Sequence, residues 1–295
     1  MSAASASSSS PSPSSATAGH TPFSPSALPS LPAVVSRLRA AGCVFAEDEA
    51  RLLVSAARTP DDLARLVGRR VAGLPLEHVV GWAEFHGLRI AVGAGVFVPR
   101  RRTEFLVRRA AALLNQLPTG RPAVVVDLCC GSGALGAALL ATAGTPVELY
   151  ASDIDPAAVA CARRNLAGGG TVLEGDLFDP LPDDLRSRID ILLANVPYVP
   201  THEVGLLPPE ARDHEPLVAL DGGADGLDVL RRVTAEATRW LAPGGHLLFE
   251  TSERQVPDAV GTVRADGLAP RVVTSEEWDA TVVVAQFRGR AGSGT

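Results

Sequence analysis

Lysine is absent from this 295-residue chain, so all 27 of its basic residues are arginine. The 33 acidic residues outnumber them and leave a formal net charge of -6. This acidic balance disfavours tight, sequence-independent binding of nucleic acid, although a local arginine patch could still serve that purpose. No apolar run approaches the ~18 residues of a membrane-spanning helix, so we expect no contact with a membrane.

Cysteine is also scarce. The four cysteines, Cys43, Cys129, Cys130 and Cys161, form no CxxC pair and stand in no histidine-rich metal spacing. They are typical of reduced thiols in a cytosolic protein, and we expect no metal site. The amino-terminal stretch lacks a basic start followed by an apolar core, so it does not resemble a secretory signal. These absences together predict a cytoplasmic protein.

The chain contains enough apolar sequence to build a core, with 46% hydrophobic and 20% charged residues. By composition and pattern it divides into five segments. These are a disordered Ser/Pro/Ala-rich tail at 1–27, a helical domain at 28–75, a β-hairpin linker at 76–99, a larger α/β domain at 100–288 and a flexible tail at 289–295. The helical domain either faces the substrate or merely packs against the rest, and its pattern does not distinguish the two.

The larger domain is organised around the sequence IDILLANVPYVP. Its apolar run Ile189–Ala194, bounded by turn residues, is typical of a central parallel strand. Because ligands bind beyond the carboxyl ends of such strands, we expect Asn195 and Tyr198 at the working edge of the sheet. Pro197 keeps the residue before it extended and so aims the Val196 carbonyl. This set fits an amide or amine nitrogen held for attack on an electrophile, and the alternative is an ordinary Asn-x-Pro turn.

A glycine-containing loop follows an earlier predicted strand, Ala123–Leu128, and precedes a predicted helix. The loop consists of Cys129, Cys130, Gly131, Ser132 and Gly133. Its glycines allow a ligand to approach the backbone closely. Asp153 follows the next predicted strand, about 20 residues after the loop, where a carboxylate typically holds ribose hydroxyls. Asp155 precedes Pro156 and is predicted to cap the next helix rather than bind a ligand.

Two later segments complete the predicted site. A strand at Thr171–Glu174 leads into Asp176, which could accept a hydrogen bond from an exocyclic amine. Leu177 and Phe178 follow it and could flank a purine ring. The alternative for Asp176 is an ordinary turn residue. The segment Pro200–Gly226 is long for a loop within a compact domain, and loops of that length are usually functional.

Taken in order, these motifs resemble the class I methyltransferases that use S-adenosylmethionine. More narrowly, the chain resembles the HemK/PrmC family, which methylates a glutamine side-chain nitrogen in peptide chain release factors. The resemblance covers about residues 31–288. It is carried by PLEHVVGWAEFHG, VPRRRTEFLV, DLCCGSGALG, GDLF, NVPY, EPLVALDGGADGLD and the pair Glu250 and Gln255. It implies a Rossmann-like α/β fold, a seven-stranded sheet with helices on both faces, preceded by the small helical domain and the hairpin linker.

The chain departs from the family pattern at four places. Val196 replaces the first proline of the Asn-Pro-Pro-Tyr motif, and Cys129 stands where the family usually has glycine. Arg101 and Arg102 replace a proline and an acidic residue, and Thr251-Ser252-Glu253 replaces the usual Ile-Gly. These departures indicate a side branch of the family.

The resemblance also implies the roles of the site residues, with S-adenosyl-L-methionine as cofactor. The residues expected to bind it are Asp127, Cys129, Cys130, Gly131, Ser132, Gly133, Asp153, Asp176, Leu177 and Asn195. The residues expected to act on the acceptor are Asn195, Val196, Pro197 and Tyr198. The Asn195 side chain and the Val196 carbonyl would accept hydrogen bonds from the acceptor NH2 group. The expected partner is a release factor with a Gly-Gly-Gln motif, no metal is required, and we expect a monomer.

Two other functions remain open at this stage. The same Asn-x-Pro-Tyr motif occurs in enzymes that methylate an amine of a nucleic-acid base, although the acidic balance argues against RNA or DNA as the substrate. The replacement at Val196 also leaves open a non-catalytic module that binds S-adenosylmethionine. A nicotinamide oxidoreductase is disfavoured because Asn195–Tyr198 would have no role in one.

Overall fold

This computed structural model of the protein describes residues 30–118 and 120–289. The predicted tail 1–27 lies outside the described residues, and so does the predicted tail 289–295 apart from Gly289. None of the helices within these ranges is both long and apolar enough to cross a membrane.

The amino-terminal part is helical, as predicted. Its helices are α1 (Leu31–Ala40), α2 (Ala46–Ala56), α3 (Pro60–Val71) and α4 (Leu76–Val80). The first three pack around a small apolar core of their own, in which Leu38, Leu53 and Leu63 are fully buried. The hydroxyl of Thr59 accepts a hydrogen bond from the Asp62 backbone N–H at 3.1 Å, which caps the start of α3. The short α4 was not predicted and lies within the segment assigned to the hairpin linker.

The predicted hairpin is present but shorter than its predicted span. It consists of β1 (Trp82–Phe85) and β2 (Leu88–Ala91), which pair antiparallel. The two turn residues, His86 and Gly87, both have positive φ, which is the conformation that a tight hairpin turn requires. Gly81 ends α4 in the left-handed region and so separates the helix from the hairpin.

The larger part contains the predicted seven-stranded sheet, and the fold class is confirmed. Its strands are β3 (Ala123–Leu128), β4 (Val147–Asp153), β5 (Gly170–Glu174), β6 (Ile189–Ala194), β7 (Leu241–Glu250), β8 (Ala269–Ser275) and β9 (Ala280–Gln286). The spatial order is β5-β4-β3-β6-β7-β9-β8, with β9 antiparallel to both of its neighbours and the other pairs parallel. Strands β8 and β9 form an antiparallel hairpin that closes the sheet at one edge.

Helices cover both faces of the sheet. They are α5 (Glu104–Leu114), α6 (Ala134–Thr142), α7 (Pro156–Asn165), α9 (Asp228–Trp240) and α10 (Val256–Ala265). The short α8 (Pro209–His214) has no buried residue and does not cover the sheet. Side chains alternate along β3, so that Val125 belongs to one apolar core and Val124 and Val126 belong to the other. Burial on both faces explains why the central strands are continuous apolar runs.

Two further features, both in the larger part, differ from the sequence predictions. The composition of Pro243-Gly244-Gly245 predicts a turn before a strand that starts at His246. Strand β7 instead begins at Leu241, because a register irregularity opposite Ile189 and Ile191 allows the strand to continue through these three residues. The long segment Pro200–Gly226 is also not devoid of structure. It contains α8 and 3-10 turns at Thr201–Leu206 and Leu217–Ala219.

Candidate active site

A cavity of about 470 Å³ opens at the carboxyl ends of β3, β4 and β6, where the order of the sheet reverses. This size is within the range of small-molecule sites. The loops after these three strands line one side. The chain from Phe97 to Thr103 and the segment from Leu207 to Leu220 line the rest, and Glu250 at the end of β7 contributes one wall.

The four residues Asn195–Tyr198 all line this cavity, as predicted from their place after β6. The side-chain oxygen Oδ1 of Asn195 is buried and has no hydrogen-bond partner among the described residues. A buried acceptor without a donor costs free energy, so such an atom beside a cavity indicates a ligand that supplies an N–H or O–H.

Two glycines fix the backbone of this loop, and sequence reasoning did not assign them a role. A Cβ atom at Gly222 would lie 2.7 Å from the Pro197 carbonyl oxygen, and one at Gly226 would lie 2.3 Å from the Tyr198 carbonyl oxygen. The Gln255 carboxamide donates to the same Tyr198 oxygen at 2.9 Å. The glycines of the DGGADG motif therefore allow two backbone segments to touch, and Gln255 joins them. The motif was the available signal, because it already carried part of the family resemblance.

The hydroxyl of Tyr198 is held by an ionic network. Arg102 donates from Nη2 to this hydroxyl at 2.6 Å and from Nε to Glu250 at 2.8 Å. The hydroxyl in turn donates to Glu250 at 3.1 Å, and Thr103 donates to the other oxygen of Glu250 at 2.7 Å. Burial and the Glu250 charge raise the pKa of Tyr198 to about 12, so the phenol stays neutral near pH 7. Arg102 was noted in the sequence only as a departure, yet it orients a predicted site residue.

The glycine-containing loop makes the tight turn between β3 and α6. Cys129, Gly131 and Gly133 all have positive φ, at 54°, 54° and 75°. This explains why glycine suits position 129, since a side chain in the left-handed region adds strain. The Gly131 backbone N–H donates to Asp153 Oδ2 at 2.8 Å, and the Asp155 N–H donates to Asp153 Oδ1 at 2.9 Å.

The Asp153 carboxylate therefore ties the first two loops together at the cavity wall. Burial raises its pKa, although the two backbone N–H groups favour its charged form. Asp155 caps α7 through a hydrogen bond from the Ala157 N–H at 2.8 Å, in agreement with the prediction that its role is structural.

Of the residues predicted to bind the cofactor, six line the cavity. They are Cys129, Cys130, Gly131, Ser132, Asp153 and Asn195. Asp127 lies beneath the loop, fully buried, and accepts a hydrogen bond from the Gly136 N–H at 3.2 Å. Burial raises the pKa of Asp127 to about 7. Gly133 lies outside the cavity lining and packs against α7, where an added Cβ atom would lie 3.1 Å from side-chain atoms of Ala162 and Leu166.

Asp176 and Leu177 lie outside the cavity lining. Asp176 forms an ion pair with Arg232 of α9 at 2.6 Å. Leu177 is buried, and its carbonyl accepts a hydrogen bond from the Ser152 hydroxyl at 2.9 Å. Their assignment to the adenine of a cofactor stays a prediction.

The arrangement fits a nucleoside-linked methyl donor together with an acceptor amine. Gly131 offers open space above its α-carbon at the cavity, which a Cβ atom would fill. The Asp153 carboxylate can accept ribose hydroxyls, and the unpartnered Asn195 oxygen can accept an acceptor N–H. Among the described residues, no group of three or more metal-ligating side chains forms a metal site.

Comparison with known proteins agrees with this geometry. Residues 90–206 match the family model described as "Methyltransferase small domain". A release factor glutamine methyltransferase from Mycolicibacterium smegmatis is 41% identical over 225 residues, which are 75% of this chain and 78% of the relative. One from Geobacter sulfurreducens is 38% identical over 214 residues, 70% of this chain and 72% of the relative.

A relative with a different named acceptor also matches. It is a 4-amino-L-phenylalanine/4-methylamino-L-phenylalanine methyltransferase from Streptomyces pristinaespiralis. It is 38% identical over 207 residues, which are 68% of this chain and 69% of that protein. The release factor glutamine methyltransferase from Mycolicibacterium smegmatis is 41% identical over three quarters of this chain, so the chain belongs to the family of release factor glutamine methyltransferases.

Proposed function

We propose that this protein transfers the methyl group of S-adenosyl-L-methionine to the side-chain amide nitrogen of a glutamine, in a peptide chain release factor with a Gly-Gly-Gln motif. The observation that carries the proposal is the buried side-chain oxygen of Asn195, a residue that lines the cavity, because this oxygen has no hydrogen-bond donor among the described residues.

The cofactor supplies a methyl group activated by a positively charged sulfur. The residues that would hold it are the cavity-lining part of the glycine-containing loop, Cys129–Ser132, and Asp153. Backbone N–H groups and a carboxylate are the groups that suit its polar and ribose parts. Asp127 holds the start of α6, the helix that follows this loop, by accepting a hydrogen bond from the Gly136 N–H.

The acceptor nitrogen is held by residues after β6. Its NH2 group donates to the Asn195 side chain and to the Val196 carbonyl, and its amide plane rests against the Tyr198 ring. An amide nitrogen is a weak nucleophile, so fixed orientation supplies much of the rate. The Asn195 side-chain oxygen and the Val196 carbonyl oxygen also stabilise positive charge that develops on the nitrogen during transfer. With a pKa of about 12, Tyr198 orients the acceptor and does not act as a base near pH 7.

A second candidate acceptor is the aromatic amine of a free amino acid. The relative from Streptomyces pristinaespiralis, named for such an acceptor, supports it. The same nitrogen-holding residues would serve, because an aromatic amine also presents an NH2 group.

Labelled S-adenosylmethionine tests both candidates. The purified protein is incubated with release factors carrying Gly-Gly-Gln, with the same factors changed from Gln to Ala, with 4-amino-L-phenylalanine and with RNA. Label on the factor that vanishes with the Gln→Ala change supports the proposal. Label on the amino acid or on RNA alone contradicts it, and donor binding measured by calorimetry without label on any acceptor favours a non-catalytic module.

The proposal includes the setting of the protein. We place it in the cytoplasm, in agreement with its four free cysteines, and we propose that it is a monomer. We retain the division into a helical domain at 28–75, a linker at 76–99 and a methyltransferase domain at 100–288. Sedimentation of the purified protein at several concentrations tests the monomer.

A further inference from the structure

The segment 201–221, which we name the roof, contributes residues from Leu207 to Leu220 to the cavity wall. Within the roof only Glu215 and Leu220 are buried, and no residue of α8 or of its two 3-10 turns is buried. Little apolar burial therefore stabilises the roof, and segments with few buried contacts open at low free-energy cost. Its position must depend on polar ties.

The end of the roof adjoins the proposed acceptor loop. The Val199 backbone N–H donates to the Leu220 carbonyl at 3.0 Å, and the Gly222 N–H donates to the Val199 carbonyl at 2.8 Å. Val199 directly follows Tyr198. A shift of the roof therefore moves the loop Asn195–Tyr198, which forms the acceptor side of the cavity, before it moves the residues that line the donor side.

Three arginines outside the roof pair with residues in it. Arg254 pairs with Glu203 near its start at 3.0 Å. Arg100 pairs with Glu215 at 2.5 Å, and Glu215 also accepts the Val98 N–H at 3.2 Å. Arg70, from α3 of the helical part, pairs with Glu210 of α8 at 2.7 Å. The Arg70–Glu210 ion pair joins the helical part of the chain to the cavity wall.

Arg70 is a rigid anchor. Its side chain is only 8% exposed, and it makes a two-pronged contact with Glu49 of α2 at 2.6 and 3.1 Å. It also donates to the Leu74 carbonyl at 3.1 Å. Glu210 is 48% exposed, so it can be replaced without leaving a buried charge, whereas Arg70 cannot.

We propose that Arg70 is a positioning residue for the acceptor side of the cavity, because its ion pair with Glu210 holds the roof over the site. The helical part thereby acts on the acceptor site through the roof, in addition to any direct contact with substrate. The predicted effect on binding of the methyl acceptor rests on the proposed function. The claim that the Arg70–Glu210 pair fixes the position of the roof does not rest on it.

Hydrogen exchange of the full chain tests the hold directly. The variant is Glu210→Gln, which leaves the Arg70–Glu49 pair intact. The matched control is Asp213→Asn, which removes one negative charge from the same helix but breaks only a local pair with Arg212. We expect amides of the roof to exchange about threefold faster in Glu210→Gln than in wild type, the range of a partly exposed ion pair, and unchanged rates in α1–α3. Added salt should speed exchange of the α8 amides more in wild type than in Glu210→Gln, because salt screens the Arg70–Glu210 pair only in wild type, whereas the Arg100–Glu215 and Arg254–Glu203 pairs are common to both proteins.

Steady-state methyl transfer measures the consequence for the acceptor. We expect Glu210→Gln to raise the KM for the acceptor about threefold while the dissociation constant for S-adenosylmethionine stays that of wild type. Roof exchange equal in Glu210→Gln, Asp213→Asn and wild type would overturn the proposal. Faster roof exchange with an unchanged acceptor KM would overturn the link to the acceptor. If release factors prove not to be the acceptor, the exchange result still decides whether Arg70 holds the roof.

Discussion

Replacing Gly226 by alanine should disable methyl transfer without unfolding the protein. Gly226 has a φ of 79°, and its added Cβ atom would lie 2.3 Å from both the Tyr198 carbonyl oxygen and the Gln255 Nε2 atom. The Gln255 side chain can move aside, but a backbone carbonyl cannot move without the loop that carries it. The loop after β6 must therefore shift by about 1 Å to restore an ordinary contact distance.

Two costs follow, and they affect different measurements. The left-handed backbone costs a non-glycine residue about 1–2 kcal/mol of stability. The displaced loop costs catalysis, since a misplacement of about 1 Å can reduce a rate about 100-fold. We expect kcat/KM to fall about 100-fold while the dissociation constant for S-adenosylmethionine changes less than about threefold.

Gly244→Ala is the control that separates these costs. Gly244 has a φ of 86°, and a Cβ atom there meets nothing within 4 Å. Gly244→Ala should lose only the stability that the left-handed backbone costs, and it should keep its transfer rate. The reasoning is refuted if the two variants lose activity equally, or if Gly226→Ala transfers methyl groups at the wild-type rate.

Three further outcomes are expected. Asn195→Ala should reduce methyl transfer at least about 100-fold and leave the dissociation constant for S-adenosylmethionine nearly unchanged in calorimetry, and a main loss of donor affinity would contradict the acceptor role. Asp153→Ala should weaken donor binding by roughly 1.5–3 kcal/mol, and an unchanged constant would show that the ribose is held elsewhere. Burial raises the folded-state pKa of Asp127 to about 7, so the stability linked to its protonation is present below about pH 4 and is lost as pH rises through 7. Asp127→Asn should therefore gain thermal stability relative to wild type as pH rises across that window, and a constant difference would contradict the raised pKa.

The central strands were predictable because burial on both faces leaves a simple pattern. The predicted runs Ala123–Leu128 and Ile189–Ala194 coincide with β3 and β6. The start of β7 was missed because Pro243-Gly244-Gly245 has the composition of a turn. It stays in the sheet through the register irregularity opposite β6 and through backbone hydrogen bonds of Gly244 and Gly245 with Phe287. Helix α4 was missed because its five residues are too short for a helical period to be recognised.

The site was partly predictable for a related reason. Carboxyl ends of parallel strands meet at one edge, so the loops bearing Asp153 and Asn195 had to converge. The network around Tyr198 could not be derived in the same way. Arg102 and Glu250 are separated by 148 positions in the chain, and their contact depends on how α5 and β7 pack. Local patterns contain no information about such pairs.

The small number of buried side chains in the roof affects how the acceptor specificity of this enzyme family can evolve. Substitutions cost stability mainly where they disturb buried side chains, and the roof has few of them. Its surface toward the cavity can therefore vary while the sheet, the glycine-containing loop and the loop after β6 remain intact. A lineage could acquire a new acceptor through neutral drift in this one segment, and directed evolution toward a chosen amine should begin with libraries in residues 201–221.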